Sequence, residues 1–110
     1  MPETAVKQLD NVSVKLKANV YFEGKVISHT LMSREGARRA VGLIYPGLFK
    51  FNTDAAERME IIAGLCRVRL AGQELWKTFG AGESFRVPER SYFEIAVDQG
   101  LAEYLCTFEQ

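Results

Sequence analysis

No apolar pattern in this chain persists for long before a glycine, proline, asparagine or aspartate breaks it, and that punctuation favours short strands over long helices. Val12, Val14 and Leu16 alternate with Ser13, Lys15 and Lys17, the period of a strand with one dry face. Val20 to Ser28 continues in β-branched and aromatic residues up to the polar turn Ser33 to Gly36. Arg38 to Tyr45 then runs to Pro46-Gly47, the strongest turn dipeptide present, and Leu48 to Thr53 follows. Asp54 to Arg58 reads as a turn, Met59 to Ala63 and Leu65 to Ala71 straddle Gly64, and Glu74 to Phe79 lies between Gly72-Gln73 and the pair Gly80 and Gly82. With Phe85 to Val87, Ser91 to Val97 and Leu101 to Phe108 this makes about ten strands, the density of an all-β sandwich or barrel. Thr4 to Asp10 is the one helical candidate.

A chain of 110 residues holds one domain. Its 14 basic and 14 acidic residues cancel, and no block of like charge marks a nucleic acid or an anionic membrane as partner. Met1 to Asn11 has no apolar run resembling a secretory leader, and nothing approaches the ~20 apolar residues of a membrane span, so a soluble, cytoplasmic protein is expected. Cys66 and Cys106 are not in a short C-x-x-C spacing; buried, reduced thiols are the simplest reading, with no nearby histidine to activate either one.

Two segments carry a recognisable spacing. E-R-M-E-I-I-A-G (Glu57 to Gly64) sets a glutamate seven residues before a glycine, and G-E-S-F-R-V-P-E-R-S-Y-F (Gly82 to Phe93) sets a glycine six residues before a proline. Both resemble the cupin sequence motifs, which implies a cupin-type, jelly-roll-like β-barrel in a single domain. The histidines of metal-binding cupins are missing: Phe93 stands at the second motif's place, and the F-N-T run Phe51 to Thr53 replaces the H-x-H pair. The single histidine, His29, lies before either motif, so no metal site is expected, since first-row metals need several converging ligands.

The runs Y-F-E-G-K-V (Tyr21 to Val26), V-G-L-I-Y-P-G (Val41 to Gly47), F-N-T, the two cupin-like segments and Y-L-C (Tyr104 to Cys106) occur in an order that resembles the small pyrimidine/purine nucleoside phosphorylase family. The resemblance covers residues 19–110, leaving 1–18 as an N-terminal extension that can join the first strand. It implies a metal-free, cofactor-free homodimer that cleaves purine and pyrimidine nucleosides with inorganic phosphate, giving free base and ribose 1-phosphate.

Phosphorolysis needs an anion site, a place for the base and a means of steadying charge on the sugar. For phosphate the basic candidates are Lys25, Arg38, Arg39, Arg58 and Arg86; Lys25 and Arg38 are favoured because they lie within or just before the family-like runs. Phe51, Phe93 and Tyr104 are the expected base platforms, since stacking tolerates any base. Thr53 shares a strand face with Phe51 and joins the substrate site. Glu57 is the catalytic candidate, able to bind ribose hydroxyls or to stabilise oxocarbenium-like charge; its alternative is a structural role in the turn. Tyr45 and Tyr104 are possible donors to the leaving base. Two other classes share this barrel: a non-catalytic cupin that binds a small metabolite, and a metal-dependent cupin enzyme. Edge strands of small barrels need cover, and Val12 to Lys17 is the segment expected to reach a partner subunit.

Overall fold

The structure is a computed structural model that describes residues 5–109. Its strands are β1 (Val12–Val14), β2 (Asn19–Tyr21), β3 (Val26–Ser33), β4 (Arg38–Ile44), β5 (Gly47–Asn52), β6 (Ala56–Ala63), β7 (Leu65–Leu70), β8 (Lys77–Gly80), β9 (Ser84–Val87), β10 (Tyr92–Val97) and β11 (Ala102–Glu109). They form two antiparallel sheets that face each other. The seven-stranded sheet runs β1-β3-β4-β11-β6-β9, with β2 also on β3, and the four-stranded sheet runs β5-β10-β7-β8. Side chains alternate along each strand, so one set from each sheet meets in the middle; Val26, Ile44, Ile61, Val87 and Ile95 are almost fully buried there. Among the described residues no helix is long and apolar enough to cross a membrane.

Three local expectations are corrected. Residues 5–10 are not helical, and Thr4 lies outside the described residues; so short a segment cannot offset the cost of nucleating a helix. Val20 to Ser28 is not one strand but the two arms of a hairpin, β2 and β3, turning at a 3₁₀ segment, Phe22–Gly24. Phe22, Glu23 and Gly24 all have positive φ, at 52°, 57° and 93°. Left-handed conformations cost a non-glycine residue roughly 1–2 kcal/mol, and the packing of the Phe22 ring 5.0 Å from Phe49 and 5.4 Å from Phe51 offsets that cost. The expected turn at Asp54 to Arg58 is shorter, because β6 begins at Ala56: Glu57 pairs with Phe108 on one side and Val87 on the other, and two ladders override the local turn signal.

Gly64 makes the sharp passage from β6 in one sheet to β7 in the other. Its φ is +84°, and a Cβ there would stand 2.0 Å from the Leu101 carbonyl oxygen. Gly72 has a similar φ, +77°, with open space around it. Gly64→Ala is therefore expected to cost about 3 kcal/mol or more and Gly72→Ala only about 1. Thermal melts of both variants would check this, and equal losses would contradict the close approach at Gly64.

Candidate active site

The register of β4, β11 and β6 stacks the site in rows. At the rim Phe108 pairs with Glu57, while the Arg38 guanidinium lies 3.9 Å from the Phe108 ring centroid. The next row is Ala40, Cys106 and Met59, and below it come Gly42, Tyr104 and Ile61, with Ser28 opposite Gly42 on β3. Ile44 closes the floor, with the buried Ala102 opposite it on β11. From the other sheet Phe51 and Phe93 stack with centroids 5.6 Å apart and planes at 21°, and Tyr21 meets Phe51 edge-on. These walls enclose a cavity of about 300 Å³, at the small end of the range for ligand pockets.

Charge is confined to the rim. Burial raises the Glu57 carboxyl above its ordinary value; a hydrogen bond from the Cys106 thiol and the Arg38 charge work against that rise. The Cys106 Sγ stands 3.5 Å from Glu57 Oε1, and its own pKa is pushed up by burial, then by the Glu57 charge and hydrogen bond. It is a thiol that donates to the carboxylate, not a nucleophile. Tyr104 is likewise held neutral by burial first, with the neighbouring Ser28 hydroxyl pulling the other way. Asn52 and Asp54 complete the rim.

Pyrimidine/purine nucleoside phosphorylase is the family whose model matches this chain, over residues 16–108. The chain belongs to that family. Pyrimidine/purine nucleoside phosphorylases of Cupriavidus taiwanensis and Methylobacillus flagellatus are each 55% identical to it. The first match spans 94% of this chain and 98% of the relative, the second 93% and 98%. A crystal structure of a protein of unknown function from Acinetobacter sp. ADP1 superposes with a TM-score of 0.90 at 43% identity, covering 93% of this chain and 98% of the other. Bacillus subtilis oxalate decarboxylase matches with a TM-score of 0.72 at 20% identity, over 99% of this chain and 32% of its own. That distant likeness concerns fold alone and agrees with the expected cupin-type barrel.

Of the residues anticipated for a nucleoside phosphorylase of this family, Arg38, Phe51, Glu57, Phe93 and Tyr104 all line this cavity. Thr53 does not. It is buried, donates through Oγ1 to the Pro88 carbonyl at 2.7 Å and accepts from the Ser91 N–H at 2.9 Å, stapling the rim between Asn52 and Asp54 to the β9–β10 loop. Lys25 is exposed just after the 3₁₀ segment and is not among the cavity-lining residues. Parity separates the remaining cations: Arg39, Arg58 and Arg86 lie on the opposite strand face from Arg38 and Glu57. Arg58 and Arg86 are paired there with Glu60 and Glu109. His29 is on the outer face of β3, 3.1 Å from the Lys15 carbonyl. Among the described residues no group of three or more His, Cys, Asp or Glu converges as metal ligands would.

Sequence reasoning missed Tyr21, Ser28, Cys106 and Phe108 as site residues. Once Tyr104 faces inward, strand alternation carries Cys106 and Phe108 with it; the signal was present. Tyr21 and Ser28 depended on a hairpin that the sequence presents as one continuous run.

The raised Glu57 pKa fixes the sign of a pH effect. The folded state holds this proton more tightly than the unfolded chain, so the stability it contributes is complete below the ordinary carboxyl value of 4.5 and is lost as pH rises through the folded value. Relative to wild type, Glu57→Gln is thus expected to be more stable near pH ~7 than near pH ~4. Urea unfolding of both proteins at the two pH values measures the difference, and a constant offset would remove the burial argument.

Proposed function

We propose that this family member is a broad-specificity pentosyltransferase that needs no metal. Inorganic phosphate attacks C1′ of a purine or pyrimidine nucleoside, the C1′–N bond breaks with its electron pair going to the base nitrogen, the base takes up the proton that hydrogen phosphate gives up, and free base and ribose 1-phosphate form. The observation that carries this reading is the rim: a guanidinium and a half-buried carboxylate flank one aromatic ring at the mouth of an aromatic-walled cavity.

Arg38, steadied over Phe108, supplies paired N–H donors that match phosphate oxygens. Glu57 stands one strand away, where a carboxylate accepts from ribose hydroxyls and offsets positive charge as the glycosidic bond loosens. Its partial burial strengthens that service, because charges interact more strongly out of water. Phe51 and Phe93 offer the flat faces on which either class of base stacks. The nucleophile is phosphate itself, so no group is required to activate water. Arg38 rather than Lys25 is the phosphate residue in this reading, and Thr53 holds the rim instead of touching substrate.

The test is free-base release from uridine, cytidine, adenosine, guanosine and inosine, with and without phosphate, on chelator-treated protein. Release from both base classes only when phosphate is present is expected. Arg38→Ala should raise the KM for phosphate at least about tenfold, and Glu57→Ala should lower kcat about 10²-fold, the scale of losing one electrostatic stabiliser. Absence of phosphate-dependent release would move the protein to the metabolite-binding class, and restoration by added metal would indicate a metal enzyme.

We also propose a homodimer. The outer face of the larger sheet exposes Val14, Val20 and Val41 at 49%, 59% and 41%, beside the outward Ile27 and Leu43. Arg39 Nε, on the same face, is buried without a hydrogen-bond partner among the described residues. β1 spans only Val12–Val14 and lies on β3 of its own chain, so the sheet face rather than a reaching strand is what a partner would cover. Light scattering at micromolar protein should give twice the 12.4 kDa chain mass, and Val41→Asp should give a single chain; a monomeric wild type would overturn the assembly.

A further inference from the structure

We propose that Ser28 and Tyr104, with Asn19 positioning the serine, form the base-reading end of the cavity, and that their two hydroxyls let one site accept both purines and pyrimidines. The proposal rests on the phosphorylase reading and adds where the base lies and which groups read its edge.

The first observation is a row of the barrel. Ser28, Gly42 and Tyr104 are directly opposite one another across β3, β4 and β11. Gly42 is not among the glycines with positive φ, so the backbone does not call for glycine there. Space does: a Cβ at Gly42 would stand 2.7 Å from the Tyr104 hydroxyl and 2.6 Å from the Ile27 carbonyl oxygen. The missing side chain is what allows the phenol to lie across β4 toward Ser28.

The second observation is how the serine is held. Ser28 is one of two buried polar residues among the described residues, at 3% exposure, yet it lines the cavity. Asn19 sits opposite it on β2 and donates through Nδ2 to Ser28 Oγ at 3.3 Å and to Thr30 Oγ1 at 3.1 Å. With one lone pair of Oγ occupied by the amide, the serine proton and its other lone pair remain free to turn toward a ligand or the phenol.

The third is polarity along the cavity. The charged groups Arg38 and Glu57 stand at the rim, four residues along β4 and β11 from the Gly42–Tyr104 row, a strand distance of roughly 13 Å. Phosphate belongs with the arginine, the sugar beside the carboxylate, and the base therefore projects past Phe51 and Phe93 toward the hydroxyl pair. Base edges differ in where they donate and accept: uracil and hypoxanthine present an N–H beside a carbonyl oxygen, whereas cytosine and adenine present an amino group beside a bare ring nitrogen. A fixed amide or charge would favour one pattern. A hydroxyl is donor and acceptor at once and rotates to suit, so the pair satisfies either.

The test compares wild type with Ser28→Ala, Asn19→Ala and the nearly isosteric Tyr104→Phe, each checked for a cooperative thermal melt. Steady-state kinetics with uridine, cytidine, inosine and adenosine at saturating phosphate give kcat/KM for each base. Tyr104→Phe and Ser28→Ala are expected to lower these values about tenfold, the scale of one neutral hydrogen bond, and unequally among the four. The KM for phosphate should stay within about twofold, because no anion contact is lost. Asn19→Ala should shift the ratios in the same sense as Ser28→Ala but less. Unchanged ratios in Tyr104→Phe and Ser28→Ala, in a wild type that releases base, would overturn base reading and leave the phosphorylase intact. Calorimetric titration of uridine and inosine without phosphate separates the two readings. If wild type binds nucleosides but releases no base, the reaction falls while the binding ratios still decide the role of the hydroxyls; if wild type neither binds nor releases, both readings fall.

Discussion

The inward parity of β11 is the constraint on which the site depends. This strand pairs with β4 on one side and β6 on the other, and its alternation sends Tyr104, Cys106 and Phe108 into the barrel. Because strand period is two, a slip of one residue would exchange them for Glu103, Leu105 and Thr107 and remove the rim ring, the thiol partner of Glu57 and the phenol together. Two features beside β11 oppose such a slip. The register on β6 shifts between Glu103 and Tyr104, an irregularity that pins one pairing, and Gly64 lets the chain pass the Leu101 carbonyl so closely that a Cβ there would stand 2.0 Å from its oxygen.

Electrostatics follow from that parity. Among the basic residues considered for phosphate, only Arg38 both faces inward on its strand and reaches the cavity. Its inward neighbours on β11 and β6 are a ring and a carboxylate, so a cation, an aromatic face and an anion share one row. Burial opposes ionisation of Glu57, and the Cys106 thiol and Arg38 moderate that opposition without cancelling it. A carboxylate kept in this condition stays responsive to what binds beside it: a ligand cation or an incipient cationic sugar favours its charged form, whereas a second anion alone does not.

Much of this was legible in the sequence because strand alternation and glycine spacing are local signals. Phe51 and Phe93 follow from cupin spacing, Glu57 from its distance to Gly64, and Arg38 from its place at the start of β4. What could not be read depends on contacts distant in the chain. Thr53 shares strand parity with Phe51, but its hydroxyl is taken by Pro88 and Ser91, 35 and 38 residues away. The hairpin at Phe22–Gly24 places two non-glycine residues at positive φ, held by aromatic packing from β5, and the single Gly24 in Y-F-E-G-K-V does not announce them. That reversal carries Lys25 outside the cavity and brings Tyr21 and Ser28 into it.

The missing cupin histidines then acquire a positive meaning. Where the cupin spacing would place metal ligands, Phe93 packs against Phe51 and the F-N-T run forms a wall and its staple. Aromatic rings at these positions exchange directional ligation for flat, unselective contact area, which holds a planar group without fixing its hydrogen-bonding pattern. Any discrimination or reactivity must then come from polar groups at the two ends of the rings: the Arg38–Glu57 pair at the rim and the Ser28–Tyr104 pair at depth. The distribution of polarity in the barrel, charged at the mouth, aromatic in the middle and hydroxylic at the far end, matches the reaction proposed for it, with phosphate and sugar at the mouth, the face of the base along the rings and its edge at depth.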